Sequence, residues 1–462
     1  MVSLTGAGSP LRLNANKEME AIPMLKCGFA KQDITPAPGR HMEGHPRARV
    51  AQKANDPLYV RCVALENEGL AILLCYDMVG LKKHITEDIR AHVARAVGCE
   101  KKDVFVTCTH THSAPNSSDA MWPIDEGFVA DLKVYAARAA MDAVADLRPG
   151  KLYSACGEAK DISFVRRYRM KDGSCRTNPG YCNPDIVAPM NEGDDSLRLV
   201  KVVREGAGDV ILVNFQVHPD VVKNGMPEEA YSADYCGMVC KTLEQAIPGS
   251  NCMYLNGTAG DLNHVDVRTQ PDTEGAFGLR LGLHMARTIA GEVLRLYTKA
   301  QPLADGPVHT VEHLTDLPLR KPDPAVLEHA EDYLRWHAEG KTEQIPYEGM
   351  EYITAIYEAV NQLELNKLGG ELKVWVNGLS VGDFAIVGIP GEPFCEVGKQ
   401  VRANSPFQMQ FVLGLSNGSE GYYPTRDAYE VNGYEARTSF FHAGIAERFI
   451  EVAGQVVRQL KG

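Results

Sequence analysis

The chain has 462 residues, enough for one large catalytic unit or for two or three smaller domains. A formal net charge of −12, a pI of about 5.7 and the absence of any long basic run argue against nucleic acid as the main partner and disfavour an anionic membrane surface. No apolar stretch approaches the roughly 20 residues needed to span a bilayer.

Met1 to Lys26 is mixed and polar, lacks the apolar block of a secretory signal, and reads as a partly ordered leader, residues 1–26. Leu70 to Tyr76 is a strand-like run ending at Asp77. Thr86 is then expected to cap a helix, with Glu87 and Asp88 in its first turn and Gly98 just past its end. Val104 to Cys108 follows as a strand, making a parallel, right-handed strand–helix–strand unit. It runs into Thr109-His110-Thr111-His112-Ser113-Ala114-Pro115. Residues two apart on a strand share a face, so His110 and His112 project together at a strand's carboxyl end. Open α/β sheets keep their ligand crevices there, and neutral imidazole is the commonest metal ligand. Taken alone, the pair fits a surface loop with two solvated histidines better than a metal site.

A helix is expected over about 127–147, ended by Pro149-Gly150. Residues 157–196 form a long, turn-rich excursion of the kind that often binds ligands. Within it, Arg166, Arg167 and Arg169 either grip a substrate carboxylate or phosphate or form a solvated basic patch. Strands near 197–203 and 210–217 read as an antiparallel hairpin, and the second ends at His218-Pro219. A helix over about 232–246 and a short strand at 252–255 lead into the Gly260-Asp261 loop. Asp261, like Asp77, is expected to orient a zinc-bound histidine from behind or to be an ordinary turn aspartate.

A long helix over 275–298 and a turn from Pro302 to Pro307 come next. Helices over about 323–338 and 348–367 form an insertion, about 320–367, that covers the site or makes a contact between subunits of a homo-oligomer. Strands return at 371–377 and 383–389, the latter ending in Pro390-Gly391-Glu392-Pro393, a tight turn presenting a carboxylate. A helix near 394–403, a strand at 408–413 and an amphipathic helix from Phe441 to Leu460 complete the pattern. The fold class is α/β, a mixed sheet flanked by helices. Three strand ends carry His, His and Glu, a common ligand set for catalytic zinc with one position left open.

Of the 12 cysteines, Cys62, Cys75, Cys108 and Cys252 lie in apolar runs and read as small hydrophobes. Cys236 and Cys240, four apart, read as helix packing rather than a thiolate metal pair. Cys175 and Cys182 flank a glycine-containing loop and could bond under oxidising conditions. With no signal segment, reduced thiols and a cytoplasmic location are expected.

Taken in order, several segments resemble the neutral ceramidase family: Gly28 to Pro36, Asp56 to Arg61, Thr109 to Pro115, Val217-His218-Pro219, Ser232 to Tyr235, Asn256 to Asp261, Gly391-Glu392-Pro393, and Gly421 to Thr425 with Tyr429 and Tyr434-Glu435. The resemblance covers about residues 27–440 and implies a single ceramidase-like catalytic domain over 27–462. It implies a Zn2+ ion held by His110, His218, Glu392 and Tyr422. His112 would then handle protons or steady the substrate, and Tyr434 would sit near the developing oxyanion.

Two departures bear on the substrate. Asn263 stands where the family carries its serine nucleophile, and an amide is no nucleophile at neutral pH. Asn263 would instead donate a hydrogen bond to an oxyanion or substrate carbonyl, and the adjoining His264 adds a titratable, substrate-facing group or is a turn residue. Only 27 residues follow Glu435, too few for the immunoglobulin-like C-terminal domain that ceramidases carry. The expectation is a zinc hydrolase of an amide or related acyl bond in a small polar substrate rather than ceramide. The alternatives are hydrolysis of a lactone, ester or sugar derivative, and a non-catalytic binding protein on the same scaffold.

Overall fold

Strand residues of this chain alternate between two buried faces, and that alternation builds the molecule in layers. The structure is a computed structural model and describes Met1 and residues 24–117, 121–222, 229–269 and 278–462. Most of the expected leader therefore lies outside the described residues. The larger sheet runs in the order Asn251–Asn256, Val210–Phe215, Ser196–Arg204, Arg148–Glu158, Lys26–Asp33, Tyr59–Asn67, Gly69–Tyr76 and Val104–Cys108, with Gln301–Pro302 added beside Arg148–Glu158. It is mixed: Gly69–Tyr76 pairs parallel with Val104–Cys108, and Val210–Phe215 parallel with Asn251–Asn256, while the centre is antiparallel. A second, four-stranded sheet runs Val308–Pro318, Glu371–Val381, Phe384–Gly388, Met409–Leu413.

Val60, Cys62, Ala64, Ile72 and Leu74 point to helices Lys83–Val97 and Glu126–Ala145. Their neighbours Val63, Leu65, Ala71 and Leu73 point the other way, onto Leu379, Phe384, Ile386 and Phe411 of the second sheet. At the far end of the large sheet, Leu199, Ile211 and Val213 pack under Asp234–Ala246 and Gly278–Tyr297. The outer face of the second sheet is covered by Cys395–Ala403 and Ile445–Lys461, through Val397, Phe449, Val452 and Val456. The layers are thus helix, sheet, sheet, helix, and the innermost apolar layer lies between the sheets. Among the described residues, no helix is long and apolar enough to cross a membrane.

Several expectations change in detail. The first helix begins at Lys83, so Thr86 is inside it and its hydroxyl donates back to the Lys83 carbonyl at 2.9 Å. Gly98 closes the helix in a left-handed conformation, as the sequence indicates (φ 79°). Pro149-Gly150 does not merely end a helix; it belongs to the central strand Arg148–Glu158. The turn-rich excursion contains short strands, among them Arg167–Met170 and Ile186–Pro189, paired antiparallel. Val308–Pro318 is an eleven-residue strand where the sequence shows no clear signal. The two inserted helices lie at Pro324–Ala338 and Gly349–Leu368.

Candidate metal centre

Parallel pairing sets where the site forms. The strands ending at Cys108 and Phe215 run their carboxyl ends out of the large sheet, and the strand ending at Gly388 does so from the small one. His110, His218 and Glu392 follow these ends by two to four residues and meet at the mouth of the sandwich. Loop 414–417 locks the first of them in place. Val106 donates to Asn417 Oδ1 at 2.9 Å, and the Asn417 amide donates to the Val106 carbonyl at 2.8 Å. The edge strand that carries His110 is thereby satisfied without another strand.

His110 itself has φ of 74°, an unusual conformation for a residue with a side chain, and one that turns the ring inward. Its Nδ1 lies 2.6 Å from the Val79 carbonyl. His112 Nδ1 is 2.8 Å from the Gly44 carbonyl, and His218 Nδ1 is 2.9 Å from that of Ala259. A carbonyl accepts only, so each ring holds its proton on Nδ1 and turns a lone pair outward at Nε2. Those nitrogens converge: ligand atoms of His110, His112 and His218 all lie within 4.8 Å of one another. Glu392 Oε2 is 3.3 Å from His110 Nε2 and 3.2 Å from His218 Nε2.

Burial opposes ionisation of Glu392, but the two imidazoles outweigh it and hold the carboxyl well below its ordinary value. Burial also opposes charge on His110, where Glu392 prevails and raises the pKa. On His218 burial wins, helped by the Arg166 guanidinium, and its pKa falls. The donor set fits a divalent metal on its own terms. Glu392 Oε2 is buried and has no hydrogen-bond partner although two imidazole nitrogens face it, which is the arrangement an ion between them would complete.

Tyr422 lies beside Glu392 because Glu392–Pro393 and Tyr422–Tyr423 pair as two short parallel strands. Burial first and the Glu392 carboxylate second keep its hydroxyl well above its ordinary pKa. The Tyr434 ring stands 5.7 Å from that of Tyr422. Arg166 stacks over both rings at 5.4 and 5.7 Å, donates to Glu435 at 2.7 Å and to the Gly260 carbonyl at 2.7 Å, and comes to 3.4 Å from His218 Nε2. These groups line a cavity of about 290 Å³, roofed by Met350, Ile353, Tyr357 and Val360 of the inserted helix.

The structure thus brings His110, His112, His218, Glu392, Tyr422, Tyr434 and Arg166 to one cavity. It places the other candidate residues elsewhere. Arg167 is buried away from the cavity, against the Phe394 ring at 4.9 Å, and Arg169 is exposed. Asn263 is tied down: its amide donates to Asn178 Oδ1 at 2.7 Å and its oxygen accepts from Val265 at 3.0 Å. Asn178, not Asn263, lines the cavity. His264 pairs with Asp220 at 3.0 Å, and again the partner lines the cavity.

Asp261 orients no histidine; its two oxygens accept from Cys395 and Asn191, each at 2.8 Å. Asp77 instead holds Arg61 at 2.7 Å inside the sheet. Backbone carbonyls, not these carboxylates, face the Nδ1 atoms of the histidines, so of the two readings of Asp261 and Asp77 the orienting one fails. Cys236 and Cys240 are buried packing residues, and Cys175 and Cys182 are both free thiols. Sequence reasoning misses Gly44, Asn178, Asp220 and Tyr357; Gly44-His45-Pro46 is a turn signal with no hint that a histidine ring rests on it.

No family model matches the chain, and no curated protein matches it. Solved structures do. Neutral ceramidase from Pseudomonas aeruginosa superposes with a TM-score of 0.71 at 18% identity, covering 95% of this chain and 75% of that one. A structure titled "Ceramidase complexed with C2" superposes with a TM-score of 0.69 at 16% identity over the same shares. Identity this low speaks to architecture, and on architecture the likeness is plain: this chain has the neutral ceramidase fold.

Proposed function

We propose that the chain is a zinc-dependent hydrolase acting on an amide or related acyl bond of a small polar substrate. The observation that carries this reading is that two Nε2 atoms, of His110 and His218, face one buried, unpartnered carboxylate oxygen, with His112 Nε2 beside them. His110, His218 and Glu392 would hold the ion, with Tyr422 beside them as a fourth donor. When bound, the zinc would supply Lewis acidity for the acyl carbonyl and a source of hydroxide at neutral pH.

The protein's own groups supply the rest. His112, fixed by the Gly44 carbonyl, presents Nε2 to the cavity, where it can take a proton and return it to the leaving group. Burial keeps the Tyr434 hydroxyl protonated well above its ordinary range, so it donates to a developing oxyanion. Arg166, fixed by Glu435, adds positive charge on the same side. No side chain in the Asn263 position offers a nucleophile, which separates this site from acyl transfer to a serine and supports a substrate other than ceramide.

Zinc-loaded protein assayed on N-acyl amines beside lactones, esters and glycosides tests the reading. Turnover of N-acyl amines, abolished by chelation and restored by zinc, is the expected result. Turnover confined to the other substrates would reassign the bond cleaved. Protein that takes up no zinc would leave a binding role.

A further inference from the structure

A second pocket, of about 400 Å³, opens at the seam between the sheets, away from the candidate metal centre. Arg198 reaches it from the inner face of the large sheet, Gln410 from the edge strand of the small sheet, and Lys399 and Arg402 from the helix Cys395–Ala403, with Asp194 the one carboxylate among the lining residues.

Its charges do not balance. Arg402 donates to Asp194, and Lys399 pairs with Glu396 at 3.1 Å. Arg198 is buried, and its hydrogen bonds go only to neutral acceptors: Ser196 Oγ at 2.6 Å, and the Ser196 carbonyl and Asn214 Oδ1, each at 3.5 Å. Among the described residues, no carboxylate lies within ion-pair distance of it. A buried guanidinium without a counter-ion is costly, and a second guanidinium beside it adds repulsion. Burial first and Arg402 second pull Arg198 down to about 10, with Asp194 opposing.

Hydrogen bonding points the same way. Gln410 is buried, and neither its Nε2 nor its Oε1 has a partner; Arg402 Nη1 has none either. Buried polar atoms left open in this way mark a place where a ligand completes the network. The open donors are an amide nitrogen, Gln410 Nε2, and one guanidinium nitrogen, Arg402 Nη1, both able to donate to a planar or tetrahedral oxyanion.

We propose that this seam pocket binds the oxyanion group, phosphate or carboxylate, of a small ligand, with Arg198 as its counter-charge and Gln410 as a neutral donor. The site is separate from the proposed hydrolytic cavity and does not depend on that function.

Isothermal titration with sodium phosphate and with sodium acetate, at constant ionic strength against chloride, tests it. The expected result is one anion bound per chain, weakened at least about tenfold in Arg198→Met, as loss of charged hydrogen bonds implies. His218→Ala should leave that binding unchanged, which separates the pocket from the metal centre. Tighter binding of phosphate would mark a phosphoryl ligand, and tighter binding of acetate a carboxylate; either supports the site. If Arg198→Met does not fold, Gln410→Leu removes a donor without touching a charge and should weaken binding by about fivefold. No heat beyond the chloride control overturns the proposal, as does binding lost in His218→Ala but intact in both seam variants.

Discussion

Gly44 shows how finely single residues set the candidate centre. Its φ is 86°, and a methyl group built on it would come within 2.5 Å of His112 Nδ1. Gly44→Ala should therefore cost about 1–2 kcal/mol of stability from backbone strain and displace the His112 ring. Hydrolysis should slow while zinc stays bound, a split that metal analysis beside kinetics would expose. Asn263→Ala should likewise keep zinc and lower kcat about tenfold, because Asn263 acts through Asn178 at the cavity wall. A silent Asn263→Ala would mean that this loop plays no part in catalysis.

Asp234 is a residue whose effect appears in pH dependence. Burial raises its pKa from 3.8 to about 6, against two backbone N–H donors that lower it. The folded state therefore binds the proton more tightly than the unfolded chain does. Stability from this group is full below pH 3.8, falls as pH rises towards 6, and is gone above that, a change of about 3 kcal/mol at most. Denaturant titrations at pH 4 and pH 6.5 should show the decline, and Asp234→Asn should flatten it.

At the scale of elements, the second inserted helix, Gly349–Leu368, supplies one wall of the cavity, and Pro324–Ala338 does not line it. Gly349–Leu368 turns Met350, Ile353, Tyr357 and Val360 to the cavity at helical spacing. Arg437 clamps this helix to the turn carrying Tyr434, through Glu351 at 2.8 Å and through Glu358. Ile353→Trp should crowd the roof, raise KM about tenfold and leave zinc content unchanged. An unaltered KM would mean that substrate does not approach this helix.

Elements with strong periodicity were legible in the sequence: the helices after residues 83 and 126, the inserted pair, and the apolar strands that end at Cys108, Phe215 and Gly388. Arg148–Glu158 and Val308–Pro318 were not, because each has one half-exposed face and a sequence rich in polar residues at pairing positions. Three of the second sheet's four strands were legible, near 371–377, 383–389 and 408–413; that they form a sheet of their own with Val308–Pro318 was not. The candidate donors His110, His218 and Glu392 were legible because each stands at the end of a clear apolar strand, whereas Tyr422 came only from the resemblance. Their orienting partners were not, because Val79, Gly44 and Ala259 act through backbone carbonyls, which no side-chain pattern announces.

In the whole molecule, the candidate ligands come from both halves of the sandwich: His110 and His218 from the large sheet, Glu392 from the small one. An ion there would pin the two sheets together at one end, while Phe384 and Phe411 of the small sheet pack against Val63, Leu65 and Leu73 of the large one in the interior. Zinc should thus stabilise the fold by its binding free energy, and chelation should lower Tm in proportion to the logarithm of free zinc. Phe411→Ala should cost about 3–5 kcal/mol through the cavity it leaves between the sheets.

Metal stoichiometry is the property on which a shared centre depends most directly. Protein purified, stripped and dialysed against zinc should hold one ion per chain by elemental analysis, and His218→Ala should hold essentially none while remaining folded by circular dichroism. A wild-type protein without stoichiometric zinc, or a His218→Ala variant that retains it, would contradict the shared centre at which these side chains meet.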